Sequence, residues 1–299
     1  MFFGVRFMKD IKIELNESVC EIEKTLGELL LNTDKDLCGI FDAMAYSTLG
    51  AGKRIRAYLV LEFCRIFGGD RSVALRYASA LEMIHAFSLI HDDLPCMDDD
   101  DMRRGKPSCH KKFGEAQALI AGDALIMRAF EAVCTSDADP ASNLLAVELL
   151  ASRAGALGMC GGQMMDMYAE ENEIDYEYLK KLQSLKTGAL IECAAELGCI
   201  CAGADGEKRE NARRYAADIG RAFQIVDDML DVLGDSETLG KNVGSDGENG
   251  KSTFVTFLGI DGAKKEAERL SESAKSYINK YPGTENLLSL ADWLLIRQN

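Results

Sequence analysis

Proline is nearly absent from the middle of this sequence, and that absence limits the folds open to it. The 299 residues include four prolines, and none falls between Pro140 and Pro282. Because proline interrupts helices, a segment of this length without it can hold many of them. No segment shows a convincing alternation of apolar and polar residues, which is the pattern of a strand. We therefore predict an all-α fold.

Apolar residues recur at spacings of three and four along most of the chain, as they do on one face of a helix. The first such segment covers residues 16–31, with Val19 and Ile22 on that face. Asn16 or Ser18 is its candidate N-terminal cap. Helices that are apolar around much of their girth belong in the middle of a large bundle. Further helices are predicted at residues 71–94, 114–134, 141–155, 176–203, 208–234, 262–281 and 284–299.

One segment between these helices is rich in glycine. Residues 234–253, "GDSETLGKNVGSDGENGKST", hold five glycines and few apolar residues. Structureless loops of this length in compact domains are usually functional or disordered, so we predict a functional loop here. No break in composition marks a second domain, and we predict a single domain over residues 1–299.

The net charge excludes several classes of function. The sequence carries a formal charge of −15, with a pI near 4.8. A nucleic-acid binder needs a basic face, and adhesion to anionic membranes needs a basic surface too. Anionic ligands remain possible where basic residues gather locally or metal ions bridge.

The cysteines and the N-terminal segment indicate a cytoplasmic protein. Ten cysteines occur without a CxxC pair, so we interpret them as reduced core thiols and not as a zinc site or a disulfide framework. The apolar run in "MFFGVRFMKD" is too short for a signal peptide, and Met8 is an alternative initiator. No window reaches the ~18 uncharged apolar residues of a membrane span, so none is predicted.

Two clusters of aspartate follow apolar helices. In "SLIHDDLPCMDDDDMRRGK", Asp92 and Asp98 are six residues apart, which on a continuous helix separates them by about 120°. Pro95 stands between them, so we infer that the helix ends or bulges there and brings Asp98 back toward Asp92. In "FQIVDDMLD", Asp227 and Asp231 are spaced i, i+4 and share one helical face.

These carboxylates predict a site for a divalent cation. A single cluster could be a solvated acidic helix end, but two clusters on separate apolar helices favour metal binding. Carboxylate oxygens without cysteine or histidine at metal spacing indicate Mg²⁺, with Mn²⁺ as the alternative. The spacing does not match an EF-hand.

Basic residues near these clusters are candidate phosphate ligands, because Mg²⁺ held by a few carboxylates usually shares its shell with phosphate oxygens. His85 lies seven residues before Asp92, so both lie on one helical face. Each basic residue alone is more often a solvated charge than a ligand. The candidates are Lys53, Arg56, Arg103, Arg104, Lys186 with Thr187, Lys241 and Lys251.

Together these motifs resemble the trans-prenyltransferases, the isoprenyl diphosphate synthases. "DDLPCMD" is similar to the first aspartate-rich motif of that family, and "DDMLD" to the second. "GAGKRIR", "LIAGDAL", "KTGAL" and "GKST" occur in the family's order, and the resemblance runs to the C-terminal "LADWLLIRQN". It implies an all-α bundle around a central cavity, a homodimer and Mg²⁺-dependent condensation of isopentenyl diphosphate with an allylic diphosphate.

The resemblance also implies roles for individual residues. Ala57 replaces the usual proline after "KRIR", which puts the helix start there in doubt, and Ala51 replaces a usual glycine. The expected Mg²⁺ ligands for three ions are Asp92, Asp98 and Asp227, supported by Asp93, Asp228 and Asp231. The expected ligands of the isopentenyl diphosphate are Lys53, Arg56, His85 and Arg104. Those around the allylic diphosphate are Arg103, Lys186, Thr187, Gln224, Lys241 and Lys251, of which Lys186, Thr187, Gln224 and Lys241 are expected to act in catalysis.

Product length is expected to depend on the residues just before Asp92. In similar bacterial enzymes an aromatic residue at the position of Phe87 accompanies a fifteen-carbon product, so Phe87 indicates farnesyl diphosphate. Ordinary core packing explains Phe87 equally well. The small Ser88 keeps geranylgeranyl diphosphate open as a product. The sequence is also compatible with a terpene cyclase of the same fold, a non-catalytic subunit or an acidic Ca²⁺ binder.

Overall fold

A computed structural model describes the backbone of residues 2–50, 52–239 and 252–296, and the side chains of residues 11–50, 52–233 and 252–296. These residues form thirteen α-helices, so the predicted all-α fold is confirmed. The helices are α1 Phe2–Leu29, α2 Cys38–Thr48, α3 Ile55–Ile66, α4 Arg71–Asp92, α5 Cys109–Phe113, α6 Glu115–Cys134, α7 Pro140–Ala154, α8 Met159–Glu171, α9 Tyr176–Gln183, α10 Ala189–Cys201, α11 Gly206–Leu239, α12 Phe254–Ile278 and α13 Glu285–Ile296.

Three short elements connect these helices. A 3₁₀ turn covers Lys35–Leu37, and a π-helical turn, Ser184–Gly188, joins α9 to α10. Two strands of two residues each, β1 Met102–Arg103 and β2 Lys106–Pro107, pair antiparallel directly after the first aspartate cluster. This hairpin has no counterpart in the sequence prediction, because two-residue strands are too short for an alternating pattern to show.

The chain divides into two compact units. The first contains residues 12–149 and 197–204, and the second contains Met1–Ile11, Leu150–Glu196 and Asp205–Asn299. The first aspartate cluster lies in the first unit, and the second cluster lies in the second unit. The predicted single domain around one central cavity stays a prediction.

Helix α4 is the central helix of the first unit, where it packs against α2, α3 and α6. Asp70 caps its start, because the Asp70 side chain accepts a 2.7 Å hydrogen bond from the backbone N–H of Ser72. Tyr77 and Leu81 are completely buried along its length. The helix ends at Asp92, so its packing fixes where the first aspartate cluster begins.

Helix α11 has the same role in the second unit, where it packs against α12, α13 and the π turn. Ile225 of α11 is buried with Phe254 and Leu270 of α12 in one apolar cluster. Thr253 and Thr256 form a capping box at the start of α12. The cluster and the cap fix the start of α12 beside the second aspartate cluster.

Several predicted boundaries are wrong. Helix α1 begins at Phe2, so neither Asn16 nor Ser18 caps it. Helix α11 continues to Leu239, so residues 234–239 are helical and not part of a loop. The rest of the predicted loop, apart from residues 252 and 253, lies outside the described residues.

Two stretches in the described residues are long and apolar enough to cross a membrane by length and hydropathy alone. The window in Arg71–Asp92 is 72% buried, as is normal for a core helix. The window in Pro140–Glu171, which spans α7 and α8, is only 28% buried. The expected absence of a membrane span stays a prediction, and α7 presents an apolar surface that needs an explanation.

Candidate active site

The first aspartate cluster forms a compact turn at the end of α4. The backbone N–H of Asp98 donates a 2.9 Å hydrogen bond to the carbonyl of Asp92, the last residue of the helix. The helix therefore stops before Pro95 and the chain turns back. The inference that Asp98 returns toward Asp92 is confirmed.

The second aspartate of this cluster is bound by an arginine. Asp93 is buried, and its Oδ1 accepts hydrogen bonds from Arg103 Nε, at 2.8 Å, and from Arg103 Nη2. Arg103 Nη2 also donates to Asp100, at 2.9 Å. The structure thus places Arg103 against the acidic turn, where it holds the turn together.

The hairpin after the turn presents Arg104. Arg104 and Gly105 both have positive φ, of 53° and 76°, which is the requirement of a two-residue type I′ turn. A Cβ on Gly52 would lie 3.3 Å from the Arg104 guanidinium carbon, so a glycine at position 52 lets this guanidinium pack against the backbone. The hairpin therefore brings Arg104 to the loop that carries Lys53, which is exposed.

Two neighbouring arginines of the "KRIR" segment have different environments. Arg54 is buried and donates to Glu82 at 2.7 Å, to Glu23 at 2.6 Å and to the Thr48 carbonyl. Arg56 Nε is buried without a hydrogen-bond partner in the part of the chain that the structure describes. Arg54 therefore stabilises the fold, and Arg56 keeps donor capacity for an anion.

His85 lies between Arg56 and Arg104, and we call these three residues the basic cluster. His85 Nε2 is 3.4 Å from Arg56 Nη1 and 3.5 Å from Arg104 Nη2. Guanidinium groups only donate, so Nε2 accepts and the proton of the neutral ring is on Nδ1. Burial and then the charges of Arg56 and Arg104, with smaller effects from Arg54 and Arg103, hold the pKa of His85 well below its usual 6.5.

The basic cluster concentrates positive charge at partly desolvated groups. Burial lowers the pKa of both Arg56 and Arg104 from its usual value, and neighbouring arginines lower it further. Nearby Glu82 already accepts hydrogen bonds from Arg54 and from the backbone of α3. An anion bound here would relieve the repulsion and accept the free Nε–H of Arg56.

Ala57, at the position of the family's usual proline, has a specific contact. Helix α3 begins at Ile55, so Ala57 lies in its first turn. Its backbone N–H donates to Glu82 Oε1 at 3.2 Å, a bond that proline could not make. The substitution leaves the helix start in place and adds a donor to a buried carboxylate. Ala51, the other departure, lies outside the described residues.

Phe87 and Ser88 lie on α4 one turn before Asp92. Phe87 is buried and its ring meets His91 edge-on at 5.8 Å between centroids. His91 in turn packs on Gly122 of α6, where any Cβ would collide with the imidazole. Ser88 is half-buried and donates to the carbonyl of His85 at 3.0 Å. The packing of α4 on α6 thus fixes the orientation of the Phe87 ring.

A separate cavity lies beneath the hairpin. It is lined by Ala86, Leu89 and Ile90 of α4 and by Asp93, the residue directly after the helix. Neither Phe87 nor Ser88 lines it, so it differs from the position at which the product chain is expected to end.

The second aspartate cluster belongs to a hydrogen-bonded chain in the second unit. Thr187 Oγ1 donates to Gln224 Oε1 at 3.4 Å, and Gln224 Nε2 donates to Asp228 Oδ1 at 2.9 Å. Asp228 Oδ2 accepts the backbone N–H of Phe254 at 2.8 Å. Burial raises the pKa of Asp228, although these hydrogen bonds oppose that effect. The structure thus brings together Thr187, Gln224 and Asp228.

The two DD pairs share one arrangement. In each pair the second aspartate, Asp93 or Asp228, is buried and bound by protein donors. The first, Asp92 or Asp227, is only half-buried, and Asp98 and Asp231 are exposed. Within the described residues no three potential metal ligands converge. The assignment of Asp92, Asp98 and Asp227 as metal ligands, with Asp93, Asp228 and Asp231 in support, stays a prediction.

Lys186 lies in the π turn and contacts an aspartate that the sequence reasoning missed. Lys186 Nζ forms an ion pair with Asp166 of α8. A Cβ on Gly162 would collide with the backbone of Lys186, so glycine lets α8 approach the turn. Single π turns inside helices frequently occur at functional sites. Lys241 and Lys251 lie outside the described residues.

Comparison with known proteins identifies the family. The profile of the family described as "Polyprenyl synthetase" matches residues 39–285. The chain belongs to the polyprenyl synthetase family. The family predicted from the motifs is therefore confirmed.

Individual relatives match most of the chain. A farnesyl diphosphate synthase of Haemophilus influenzae is 40% identical over 289 residues, which are 96% of this chain and 98% of the relative. Geranylgeranyl pyrophosphate synthase 7, chloroplastic, of Arabidopsis thaliana is 44% identical over 266 residues, 87% of this chain and 77% of the relative. The crystal structure of an FPP/GFPP synthase from Zymomonas mobilis matches with a TM-score of 0.86 and 37% identity, covering 96% of this chain and 99% of that one.

Two residues of this polyprenyl synthetase escaped the sequence reasoning. Arg54 stands between Lys53 and Arg56, and a sequence cannot show which of two nearby arginines is buried. Asp166 follows "GGQMM" in α8, four residues after the glycine that contacts Lys186. A glycine and an acid spaced i, i+4 lie on one face of a helix, and this spacing was the available signal for a contact with Lys186.

Proposed function

We propose that this protein condenses isopentenyl diphosphate head to tail with an allylic diphosphate, first dimethylallyl and then geranyl diphosphate, and releases farnesyl diphosphate and pyrophosphate. The observation that carries this proposal is the basic cluster, in which Arg56 and Arg104 share His85 Nε2 and Arg56 Nε has no partner among the described residues. A terpene cyclase uses one diphosphate substrate and would leave this cluster without a role.

The basic cluster would bind the diphosphate of isopentenyl diphosphate. Arg56 and Arg104 both direct donors to His85 Nε2, and the exposed Lys53 lies in the loop just before α3. His85 stays neutral and holds both guanidinium groups by accepting from them. Charge-assisted bonds from arginine to phosphate are strong and directional, so the cluster would orient the isopentenyl double bond.

The aspartate clusters would hold Mg²⁺. The donor set consists of carboxylates without cysteine or histidine, and the turn that joins Asp98 to Asp92 presents two of them together. Asp92, Asp98 and Asp227 would be the direct ligands of three ions. Bound Mg²⁺ would neutralise the allylic diphosphate and make it a better leaving group. Asp93 and Asp228 would orient the ligands through their own hydrogen bonds.

The remaining residues around the allylic diphosphate would stabilise the charge that develops when its C–O bond breaks. Thr187 and Gln224 are ordered by the bond between them, and Lys186 reaches Asp166 from the π turn. The allylic cation is attacked by the isopentenyl double bond, and the new cation loses a proton to the departing pyrophosphate. We propose that Lys241 and Lys251, which lie outside the described residues, supply positive charge to the diphosphate during this step.

Farnesyl diphosphate is the product that Phe87 favours. Its ring packs edge-on against His91, which itself packs on Gly122 of α6, so the ring would stop the growing chain one turn below Asp92. The farnesyl synthase relative supports this product, and the geranylgeranyl synthase relative is the reason to keep a twenty-carbon product as the alternative.

We also propose that the protein is a cytoplasmic homodimer. Leu119, Ile120 and Met127 of α6 are 47%, 54% and 65% exposed, and Leu144 of α7 is 69% exposed. Exposed apolar surface is typical of a protein–protein interface, and two-fold dimers are the commonest homo-oligomers. Light scattering of the purified chain is expected to give twice the monomer mass, and Leu144→Asp is expected to lower it.

Incubation of the purified chain with Mg²⁺, dimethylallyl diphosphate and labelled isopentenyl diphosphate tests the proposed reaction. After phosphatase treatment, labelled farnesol is the expected prenyl alcohol. Geranylgeraniol would replace the proposed product by the twenty-carbon one. In a second incubation with farnesyl diphosphate alone, a hydrocarbon product would identify a cyclase. No Mg²⁺-dependent turnover in either incubation would identify a non-catalytic subunit.

A further inference from the structure

Two cysteines far apart in the sequence meet within the first unit. Cys64 lies near the end of α3, and Cys201 is the last residue of α10, 137 positions later. Their sulfur atoms are 3.3 Å apart. The ends of two separate helices therefore bring the thiols of Cys64 and Cys201 into direct contact.

The backbone around the pair holds the thiols in this position. Both sulfurs lie within hydrogen-bonding reach of the Asp70 carbonyl oxygen, at 3.5 Å from Cys64 and 3.3 Å from Cys201. A Cβ on Gly69 would lie 2.6 Å from Cys64 Sγ and 2.7 Å from Ala202 Cα, so the glycine lets the α3–α4 turn pack tightly on the end of α10. The tight packing prevents the two thiols from separating easily.

We propose that Cys64 and Cys201 are a redox site, a dithiol that closes to an intramolecular disulfide when it reacts with a low-molecular-weight disulfide. A disulfide has an S–S distance of about 2.05 Å, so the two sulfurs need to approach by only about 1.2 Å from their 3.3 Å contact. This proposal is independent of the proposed function. Disulfides of intracellular proteins are mostly transient and redox-sensing, which suits a pair that is reduced in the resting protein.

Accessibility sets the order of the two steps. Cys64 is only 1% exposed, whereas Cys201 is half-buried and can be reached from solvent. The Cys201 thiolate attacks the external disulfide RSSR, whose S–S bond breaks and releases RS⁻. Cys64 then attacks Cys201 Sγ in the mixed disulfide and releases the second RS⁻. The two thiol protons end on the two RS⁻ groups, so two protein thiols and RSSR give one protein disulfide and two RSH.

The hydrogen bond between the two thiols makes the first proton easier to remove. The bond from Cys201 lowers the pKa of Cys64, against the opposing effect of burial, and the same bond raises the pKa of Cys201. One thiolate is therefore stabilised by the neighbouring thiol, and transfer of the shared proton can place it on either sulfur. Thiolates, not thiols, carry out disulfide exchange.

The redox site lies far from the residues that would bind substrates. Asp70 is the N-cap of α4, and Asp92 is the last residue of that 22-residue helix, which is about 33 Å long. We therefore expect oxidation to leave turnover within about twofold of the reduced protein. The crosslink would restrict the unfolded chain over a long loop, so oxidation is expected to raise the thermal unfolding midpoint by roughly 5 °C or more.

The test uses the full-length reduced protein and oxidised glutathione as the probe. After incubation and alkylation of the remaining thiols, peptide mapping without reduction is expected to find a peptide linked through Cys64 and Cys201. Exposed Cys20 and Cys160 serve as internal references for thiols that can react with glutathione. We expect the linkage to depend on the glutathione redox ratio and to reverse with excess reduced glutathione.

Single serine variants separate the proposed steps. In Cys64→Ser, which lacks the second thiol, Cys201 is expected to stay as a mixed disulfide with glutathione. In Cys201→Ser, Cys64 is expected to remain a free thiol because it is buried. Alanine variants replace any serine variant that does not fold. The proposal is overturned if oxidised wild-type protein keeps Cys64 alkylatable while Cys201 carries glutathione, or if the linked protein unfolds at a lower temperature than the reduced one.

Discussion

The backbone N–H of Asp98 is 2.9 Å from the carbonyl oxygen of Asp92 and donates to it, so the seven residues from Asp92 to Asp98 close into one turn. This bond gives two acidic side chains a common position at the end of a buried helix. Proline at position 95 and the end of α4 at Asp92 are its physical cause.

The closed turn predicts that Asp98 is needed for metal-dependent turnover. Asp98→Asn removes a charged ligand, so we expect a loss larger than the ~10- to 100-fold typical of residues that only orient ligands, with a raised Mg²⁺ requirement. Asp101→Asn is the matched control, because Asp101 is 76% exposed in its side chain and pairs with Lys111. Steady-state assays over a range of Mg²⁺ concentrations make the comparison, and equal losses in both variants would contradict the assignment.

The bond between Ala57 and Glu82 predicts that restoring the family's usual proline destabilises this protein. Ala57→Pro removes the N–H that lies 3.2 Å from the buried Glu82 carboxylate. Loss of a donor to a buried charged acceptor is expected to lower the free energy of unfolding by about 1 to 3 kcal/mol. Urea unfolding measures this change. A variant as stable as the parent, or more stable, would show that Glu82 does not depend on the bond.

The packing of Phe87 predicts that its removal lengthens the product. Phe87→Ala opens space one turn before Asp92, so we expect twenty-carbon or longer products in place of farnesyl diphosphate. Because the ring is buried, the variant is also expected to lose about 3 to 5 kcal/mol of stability. Phe87→Tyr keeps an aromatic ring and is expected to keep the shorter product. Chromatography of the prenyl alcohols decides, and an unchanged product from Phe87→Ala would assign Phe87 to core packing alone.

The depressed pKa of His85 predicts a specific loss of stability in acid. The unfolded chain binds a proton at His85 below about pH 6.5, and the folded protein binds it only at lower pH, so stability falls as pH drops below that value. The slope from this residue is at most ~1.4 kcal/mol per pH unit. The charged groups that lower the pKa of His85 are Arg56, Arg104, Arg54 and Arg103.

The variant His85→Gln isolates this effect. Glutamine keeps an acceptor for the two arginines but does not titrate, so its free energy of unfolding is expected to fall less steeply between about pH 6.5 and about pH 5 than that of the parent. Urea unfolding at a series of pH values gives both slopes. Identical slopes would mean that His85 titrates normally in the folded protein.

The helices could be predicted from sequence where one face is buried, and less well elsewhere. Helix α4 ends at Asp92, two residues before its predicted end, because Pro95 and the acidic turn follow it. Helix α1 extends well before its predicted cap, because Asn16 and Ser18 are polar residues within a continuous helix. The short helices α2 and α3 are absent from the sequence prediction, since a dozen residues give too few turns to show a period.

The sequence predicted which residues belong to the candidate site, but it did not predict which of them contact one another. The sequence indicates which carboxylates and cations belong to the motifs, and the return of Asp98 follows from Pro95. The binding of Arg103 to Asp93, of Lys186 to Asp166 and of Asp228 to the Phe254 backbone joins residues that are 10, 20 and 26 positions apart. Such contacts are set by tertiary packing, which residue spacing does not contain.

The assignment of the basic cluster to isopentenyl diphosphate is tested most directly by measuring KM for each substrate in Arg56→Gln. Loss of a charge-assisted contact of about 1.5 to 3 kcal/mol is expected to raise KM for isopentenyl diphosphate about 10- to 150-fold and leave KM for the allylic diphosphate nearly unchanged. Arg65→Gln on the same helix is the matched control, because the Arg65 side chain is 42% exposed and pairs with Glu62 at 2.7 Å. A rise in the allylic KM instead, or no change in either, would contradict the account.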